Sequence, residues 1–504
     1  MKLIKYQFTI LLSCLLLLLQ CFAGSIAGQT RDSAIERRID DILAKMTIAE
    51  KFGQLQQLDG EANGRFRPEH VALAEKCLLG STLNVRGAEQ VNELQRAAMR
   101  CRLKIPILFG FDVIHGYRTI FPVPLGEAAS WDISLAEQTS AIAAAEARAA
   151  GVHWTFAPMV DIARDPRWGR IVEGSGEDPF LGSMFSFARV RGFQGTDYSA
   201  PNKVMATAKH WAGYGAAEAG RDYNTTDLSE RALREVYFPP FKAAVDAGVG
   251  SFMTAFNDLD GVPATANPFI LKKVLRGEWK FDGLVVSDYT AVMELVFHGL
   301  ARDEKSAAAY ALNAGTDMEM ASRLYNRYGE ELIREGVVSK SALDDAVRNV
   351  LRVKFRLGLF ERPFAEPEAE AREVFRKENL QAAKRAAERS FVLLKNDDRT
   401  LPFSKDVGKI AVIGYLADSK ADMLGSWAGD GRPEDVITVK KALEEKFPGK
   451  EIIYAQGCDA RCESESGFAA ALDAVRRSDV AIVVAGETAD MSGEAASRSN
   501  LDLP

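Results

Sequence analysis

The stretch Gly283-Leu-Val-Val-Ser-Asp-Tyr289 is a short apolar run that ends on a carboxylate. Such a β-branched run is typical of a strand buried on both faces of a parallel sheet. In barrel enzymes the chemistry lies just past the C-terminal ends of these strands, which makes Asp288 the first candidate for a catalytic acid. The alternative is that Ser287 or Asp288 only caps the following helix, and the run alone does not decide between the two.

Similar runs recur along the first two thirds of the chain. They predict strands at Leu78–Val85, Ile107–Asp112, Trp154–Ile162, Val204–Trp211, Ser251–Phe256, Gly283–Asp288 and Gly315–Met320. Helical patterns lie between them at Leu135–Ala150, Leu228–Ala247 and Pro268–Glu278. A capping box at Thr47–Glu50 predicts an earlier helix, which we expect to run through Leu58. Strands that alternate with helices predict a (β/α)8-type barrel over residues 28–362, with a doubly wound sheet as the alternative.

A second α/β unit is predicted after the barrel. The segment Arg362-Pro-Phe-Ala-Glu-Pro367 has the composition of a linker, and a charged helix follows it, so residues 363–390 are assigned to a linker and helix. Residues 391–504 are assigned to an α/β sandwich with strands at Lys409–Gly414, Ile452–Ala455 and Asp479–Gly486. Three strands are fewer than the roughly five or six of an average sheet. We therefore expect this domain to be incomplete and the natural polypeptide to continue.

Residues 1–27 have the pattern of a signal peptide. Lys2 and Lys5 precede the apolar run Phe8–Leu19, and Ser25-Ile-Ala27 fits a small-x-small cleavage site. The run is shorter than the roughly 20 residues that a spanning helix needs. A lipoprotein anchored at Cys21 is a weaker alternative. We predict an exported protein, periplasmic or extracellular, with no membrane span, in which Cys77, Cys101, Cys458 and Cys462 are free to form disulfides of undecided pairing.

Composition and motifs argue against several classes of function. The formal net charge of −7 gives no basic surface of the kind that binds nucleic acid. None of the five histidines lies in a metal-binding spacing, so we predict no metal. No G-x-G-x-x-G motif follows a predicted strand, which argues against a dinucleotide-dependent oxidoreductase and against a cofactor. The sequence leaves the oligomeric state open.

Polar side chains cluster where the predicted strands end. These groups are Asp112, His115, Asp161, Lys209, His210 and Asp288. Carboxylates, lysine and histidine at successive strand ends predict a pocket that binds hydroxyl groups around a central carboxylate acting as nucleophile or base. Neighbouring charges also have structural interpretations: Arg164, Asp165 and Arg167 are typical of a salt network, and Asp178 of a helix start.

Several motifs together resemble glycoside hydrolase family 3, the β-glucosidase and β-xylosidase family, over about residues 38–504. The motifs are Met46-Thr-Ile-Ala-Glu-Lys-Phe-Gly-Gln-Leu55, the box from Gly169-Arg170 to Glu177-Asp-Pro179, Lys209-His210, Ser287-Asp288 and Val392-Leu-Leu-Lys395-Asn396. The resemblance implies a barrel that supplies the nucleophile and most sugar-binding residues. It also implies an α/β sandwich that supplies the acid/base.

The resemblance assigns roles position by position. Asp288 matches the nucleophile, and Asp112 matches the carboxylate that binds sugar hydroxyls far from the reacting carbon. The residues that match the other glycone-binding groups are Arg170, Lys209 and His210. The proton donor lies in a variable loop, where Glu494 is the first choice and Glu487 the second.

Two features qualify these assignments. Many family members carry a tyrosine after the strand at Ser251–Ala255, near the nucleophile, whereas this chain has Phe256. The nucleophile is therefore expected to lack that hydroxyl as a hydrogen-bond donor. In addition, Glu494 has an alternative interpretation as a loop charge paired with Arg498.

The resemblance implies an exo-acting, retaining β-glycosidase that acts on oligosaccharides or aryl β-glycosides. We rank first a β-glucosidase that releases terminal non-reducing β-D-glucosyl residues. Double displacement requires an ionised Asp288, which Lys209 and Arg170 are expected to favour, and a protonated Glu494. The alternatives are a β-xylosidase of the same family and a non-catalytic carbohydrate-binding fragment, in which Glu494 would lie on a loosely held terminal segment.

Overall fold

Eight parallel strands dominate the computed structural model, which describes residues 33–504. The predicted signal peptide and its cleavage site lie outside the described residues. In chain order the first ten strands are β1 Gln56–Asp59, β2 Ser81–Leu83, β3 Leu108–Phe111, β4 Trp154–Thr155, β5 Thr207–Trp211, β6 Ser251–Thr254, β7 Asp258–Leu259, β8 Val262–Pro263, β9 Leu284–Tyr289 and β10 Met318–Met320. Strands β7 and β8 form a short antiparallel hairpin outside the large sheet.

The remaining eight strands form a barrel. They pair in parallel in the order β4-β3-β2-β1-β10-β9-β6-β5. The bridges between Trp154 and Met205 and between Met159 and Lys209 join the two outer strands and close the sheet. Each strand therefore lies beside its neighbour in sequence, as a (β/α)8-type barrel requires. The predicted fold class is confirmed.

Helices surround the barrel and continue beyond it. In chain order they are α1 33–43, α2 Ile48–Gln54, α3 Pro68–Glu75, α4 Ala88–Arg100, α5 Pro124–Ala128, α6 Ile133–Ala149, α7 Pro179–Gln194, α8 Glu230–Ala232, α9 Pro239–Asp246, α10 Ala291–Phe297, α11 Glu304–Ala314, α12 Leu324–Arg334, α13 Lys340–Arg356, α14 Pro367–Glu373, α15 Lys377–Ser390, α16 Val439–Lys446 and α17 Phe468–Arg476. Two π-helical segments lie at Leu233–Tyr237 and Phe269–Glu278.

The first barrel strand contradicts the prediction of one helix through Leu58. Helix α2 ends at Gln54, and the next residues enter the barrel as β1. The sequence did not indicate a strand here, because β1 carries buried glutamines instead of β-branched residues. The amide of Gln57 donates to Ser81 Oγ at 2.7 Å on β2, which satisfies part of its hydrogen-bonding capacity inside the barrel.

Hydrogen bonds between side chains also fill the lower end of the barrel. The indole N–H of Trp154 lies 2.7 Å from both Thr207 Oγ1 and Ser251 Oγ. All three residues are fully buried at the beginnings of β4, β5 and β6. Small hydroxyl residues opposite one large ring fill the lumen, so the barrel is a packed core and the pocket lies at its other end.

Two predicted helices are interrupted. The pattern at Leu228–Ala247 divides into α8, a π-helical turn and α9, which begins at Pro239. The charged helix after the linker divides into α14 and α15 at Phe375, whose φ is +58°. The carboxylate of Glu146 on α6 accepts hydrogen bonds from Phe375 N at 2.9 Å and from Asn379 Nδ2 at 2.7 Å, and so holds this break against the barrel.

The second domain contains a smaller parallel sheet. Its strands are β11 Lys409–Ile413, β12 Glu451–Ala455 and β13 Val480–Val483, in the order β12-β11-β13, with α16 and α17 beside them. The three predicted strands are thus found and the partial sandwich is confirmed, whereas the exact domain boundaries stay predictions. Disulfides join Cys77 to Cys101 and Cys458 to Cys462. Within residues 33–504 no helix has the length and apolar character needed to cross a membrane.

Candidate active site

A pocket of about 730 Å³ opens at the C-terminal ends of the barrel strands. Four residues predicted for the site line it together: Asp112, Lys209, Asp288 and Glu494. The other two, Arg170 and His210, are buried directly behind this lining. The structure therefore brings all six predicted residues to one place, five of them from the barrel and Glu494 from the second domain.

Asp288 lies at the end of β9 and presents one free oxygen. Its Oδ1 accepts a hydrogen bond from the N–H of Tyr289 at 2.7 Å. Its buried Oδ2 has no hydrogen-bond partner among the described residues, and His210 Nε2 lies 3.7 Å away. Neither Asp288 nor Ser287 caps α10, which begins after Thr290 without a side-chain cap. The capping alternative is therefore wrong.

His210 is fixed by Asp161, one of the polar groups predicted at the strand ends. Asp161 Oδ2 lies 2.8 Å from both the backbone N and the Nδ1 of His210. Burial, reinforced by the charges of Arg170 and Lys209, holds the pKa of His210 well below its usual value. The neutral ring donates through Nδ1–H to Asp161, and Nε2 is left as an acceptor. Nε2 therefore cannot donate a hydrogen bond to Asp288, but it can accept one from a hydroxyl group.

Arg170 is buried behind the pocket with part of its guanidinium unused. Its Nε and Nη2 bind the carboxylate of Glu173 at 2.7 and 3.1 Å. Its Nη1 makes no hydrogen bond within the described part of the chain and lies 3.6 Å from Glu494 Oε2. Glu173 thus fixes the orientation of Arg170, and one N–H edge remains available on the side of Glu494.

Asp112 and Lys209 form an ion pair beneath an aromatic ring of the second domain. Lys209 Nζ lies 2.9 Å from Asp112 Oδ1 and 5.5 Å from the ring centroid of Trp427. Both side chains of the pair keep hydrogen-bonding atoms beyond this contact, because an ammonium has three donors and a carboxylate about four acceptor positions. The pair can therefore bind several hydroxyl groups of one ligand.

Glu494 is the acidic residue of the terminal loop that reaches the pocket. Tyr223 donates its hydroxyl to Glu494 Oε1 at 2.7 Å. Glu487, the second choice for the proton donor, pairs with Arg498 and does not line the pocket. The alternative that Glu494 pairs with Arg498 is therefore wrong.

Backbone pairing with the barrel holds the loop that carries Glu494. Gly169 N donates to Ala496 O at 3.0 Å, and Gly493 N donates to Gly169 O at 2.7 Å. Arg498 N donates to Arg167 O at 2.9 Å. These bonds tie down both sides of Glu494, so the loosely held terminal segment expected for a non-catalytic fragment is not found.

Side chains reinforce this contact. The carboxylate of Asp222 accepts from the indole N–H of Trp168 and from Ala495 N, each at 2.8 Å. Ser497 Oγ accepts from Asp222 N at 2.9 Å. Asp222 therefore joins the barrel turn before Arg170 to the loop after Glu494.

The electrostatic balance at Asp288 differs from the prediction. Arg170 and Lys209 lower its pKa, as expected, but burial and the negative charge of Glu494 outweigh them and raise the pKa above the usual range of an aspartic acid. The negative charge of Glu494 thus opposes ionisation of Asp288. We infer that Asp288 loses its proton only above the pH at which an ordinary aspartate does.

Two further lining residues were not identified as site residues from the sequence: Tyr223 and Trp427. Tyr223 and Trp427 lie in irregular loops, where no strand-end pattern indicates a role. Phe256, which occupies the place of the family's common tyrosine, lines the pocket and packs edge-on against Tyr223, with ring centroids 5.0 Å apart. Asp161 was among the polar groups predicted at the strand ends, but its contact with His210 was not predicted.

Comparison with known proteins gives two family matches and many relatives. The model of the glycosyl hydrolase family 3 N terminal domain matches residues 47–353, and that of the C-terminal domain matches residues 391–504. A periplasmic beta-glucosidase of Salmonella typhimurium is 39% identical over 92% of this chain and 64% of its own length. A beta-xylosidase of Formosa agariphila is 33% identical over 97% of this chain and 67% of its own length.

Solved structures agree with these matches. A beta-glucosidase from Listeria innocua in complex with glucose superposes with a TM-score of 0.87 at 39% identity, over 93% of this chain and 66% of that one. The chain thus spans about two thirds of the length of the proteins it resembles.

Gly169 offers a direct test of how the Glu494 loop is held. A Cβ at this position would lie 2.4 Å from Ala496 O and 2.5 Å from Gly493 O, both backbone atoms. Gly169→Ala should therefore displace the loop and break two hydrogen bonds worth about 0.5–1.5 kcal/mol each. Amide hydrogen exchange of residues 493–498 should become about tenfold faster or more, while the barrel strands keep their protection.

Gly126→Ala on α5 is the matched control, since a Cβ there meets nothing closer than 3.7 Å. Unchanged exchange over residues 493–498 in Gly169→Ala would show that the loop is held by other contacts.

Proposed function

Because the chain belongs to glycoside hydrolase family 3, we propose that it is an exo-acting, retaining β-glucosidase that removes terminal non-reducing β-D-glucosyl residues. The observation that carries the proposal is the convergence of Asp288 and Glu494, from two different domains, on one pocket lined with hydroxyl-binding groups. The β-glucosidases of Salmonella typhimurium and Listeria innocua among its relatives support glucose as the sugar. Exo action follows from the family resemblance.

Asp288 is proposed as the nucleophile. Its Oδ2 is free of hydrogen bonds within the described residues, so no protein donor competes with the anomeric carbon for that oxygen. Attack forms a glycosyl ester on Asp288 and breaks the bond between the anomeric carbon and the leaving-group oxygen. The contact of Oδ1 with Tyr289 N fixes the plane of the carboxylate during this step.

Glu494 is proposed as the acid/base. In the first step it gives its proton to the departing oxygen, and in the second step it takes a proton from the water that attacks the glycosyl ester. Tyr223 holds one carboxylate oxygen of Glu494, and Arg170 lies near the other. These two contacts position the carboxylate from opposite sides, which a proton donor requires.

The glycone is proposed to bind between Asp112, Lys209, His210 and Arg170. Asp112 is a charged acceptor for hydroxyl groups, and His210 Nε2 is a neutral one. Lys209 Nζ and Arg170 Nη1 supply donors. Hydrogen bonds to charged groups are worth about 1.5–3 kcal/mol each, enough to fix a small polar ring in one orientation. Trp427 adds an aromatic surface near Lys209 on the side of the second domain.

A β-xylosidase is the second candidate, because a relative with that name matches 97% of the chain. Xylose lacks the hydroxymethyl group of glucose, so the two activities differ in how the pocket binds that group. Comparison of kcat/KM for aryl β-glucosides and aryl β-xylosides separates them. Preference for the xyloside would overturn the glucosidase proposal while leaving the mechanism intact.

The nucleophile and the stereochemistry are tested together. A 2-deoxy-2-fluoro-β-glucoside with an activated leaving group should label Asp288, and Asp288→Asn should lose labelling and lose activity by several orders of magnitude. An NMR time course should show the β-anomer as the first product, because two displacements restore the configuration. Asp246→Asn, an exposed change on α9, is the control and should label normally. Label on another carboxylate, or the α-anomer first, would refute the assignment.

The interaction between the two carboxylates predicts a pH dependence. Labelling needs ionised Asp288. The labelling rate should therefore be low at a pH below the raised pKa of Asp288 and should increase as the pH passes through that value. Glu494→Gln removes the negative charge that raises this pKa, so the rising limb should move to lower pH. An activated leaving group keeps the labelling step independent of the proton donor.

Glu487→Gln is the matched control, since Glu487 pairs with Arg498 outside the pocket. The rising limb of its pH–labelling profile should stay at the wild-type pH. A limb that does not move in Glu494→Gln, or moves to higher pH, would show that Glu494 does not control the ionisation of Asp288.

A further inference from the structure

A second cavity, of about 600 Å³, lies at the opposite end of the barrel. It forms where α6 ends, β4 begins and the segment leading to α14 crosses the barrel. It shares no lining residue with the pocket that contains Asp288. Its charged lining residues are Arg148, Arg362, Glu366, Arg372, Glu373 and Arg376. With four arginines and two glutamates, the lining has an excess of positive charge. This charge has no role in the proposed glycosidase mechanism.

Arg148 is the most unusual member of this cluster. It lies in the last turn of α6, and its Nη1 is buried without a hydrogen-bond partner. No carboxylate in residues 33–504 forms an ion pair with it. Burial and the neighbouring charge of Arg362 lower the pKa of Arg148 to about 10. Arg148 is only partly exposed, and a guanidinium N–H that is buried without an acceptor or counterion is costly.

Arg362 also keeps its charge uncompensated. It donates to Ser199 O at 2.7 Å, and no ion pair to it is found among the described carboxylates. The remaining arginines behave differently, because Arg372 and Arg376 both bind Glu373. The excess charge therefore belongs to two neighbouring guanidinium groups.

His153 adds a neutral donor to the cavity. It is buried at the start of β4, and its Nδ1 accepts a hydrogen bond from Phe109 N at 3.4 Å. Burial, with repulsion from Arg148 and Lys354, keeps its pKa well below the usual value. The neutral ring therefore carries its proton on Nε2, the nitrogen not engaged by Phe109.

We propose that this cavity binds a small inorganic oxyanion, phosphate or sulfate, held by Arg148, Arg362 and His153. Guanidinium groups bind such tetrahedral anions through paired N–H donors, and the imidazole N–H supplies one more. The anion would join the last turn of α6 to the segment that connects the barrel with the second domain. Its effect is expected on stability and not on the chemistry at Asp288.

Thermal unfolding in matched salts tests the proposal. At constant pH and ionic strength, the wild-type chain should unfold at a temperature a few degrees higher in phosphate or sulfate than in chloride. The increase should grow with the logarithm of the anion concentration, because binding to the folded state stabilises it by mass action. Calorimetric titration with each anion should give one site per chain, and the two titrations rank phosphate against sulfate.

Variants at the two arginines make the test specific. Arg148→Met should remove the response to anions and, in chloride, unfold at the wild-type temperature or above it, because a guanidinium whose buried Nη1 has no partner is lost. Arg362→Gln, on the exposed side, should fold normally and weaken the response. Arg302→Gln is the control: this arginine is 87% exposed, lies outside the cavity and should respond like the wild type.

Equal unfolding temperatures of the wild type in phosphate, sulfate and chloride would overturn the proposal. It would also be overturned if Arg148→Met kept the full anion response. Lower stability of Arg148→Met in chloride would also overturn it, because Arg148 would then already have a partner such as Glu366 or Glu373.

Discussion

Two backbone hydrogen bonds at Gly169 hold the site together. They join a turn of the barrel to the loop of the second domain that carries Glu494. The next residue along the barrel turn is Arg170, whose guanidinium lies behind the pocket and approaches Glu494. One short segment therefore positions a proposed sugar-binding cation and the proposed proton donor at the same time. Only a glycine permits this approach, because a side chain would meet the carbonyl oxygens of the loop.

The charges around the pocket differ in how well each is compensated by an ion-pair partner. Arg170 binds Glu173, and Lys209 binds Asp112, so both cations are already engaged. Asp288 is left with the weakest compensation, and the negative charge of Glu494 raises the cost of ionising it. Under the proposed mechanism this imbalance is useful. The oxocarbenium-like transition state is positively charged, and a pocket with excess negative charge stabilises it more than it stabilises the neutral substrate.

Much of this arrangement could be predicted from residues alone, and the exceptions have physical causes. Seven barrel strands followed from apolar runs, and Asp288 followed from the carboxylate that ends one of them. Strand β1 did not, since its buried glutamines bind partners distant in sequence, such as Ser81 for the amide N–H of Gln57.

The roles of Arg170, Lys209 and Glu494 came from the family resemblance. Tyr223 and Trp427 were not identified because irregular loops carry no periodic signal. The raised pKa of Asp288 was missed because it depends on burial and on its distances from Glu494, Arg170 and Lys209, which no local pattern encodes.

A loop of the second domain is proposed to supply the acid/base of a site whose nucleophile lies in the barrel. The most direct measurement is the dependence of turnover on the leaving group in Glu494→Ala. Glucosides with poor leaving groups should lose about 10²–10⁴-fold in the first step, whereas strongly activated aryl glucosides should lose far less. Azide should restore turnover of the activated substrates and yield a β-glucosyl azide. Equal losses for both kinds of substrate, with no effect of azide, would show that Glu494 is not the acid/base.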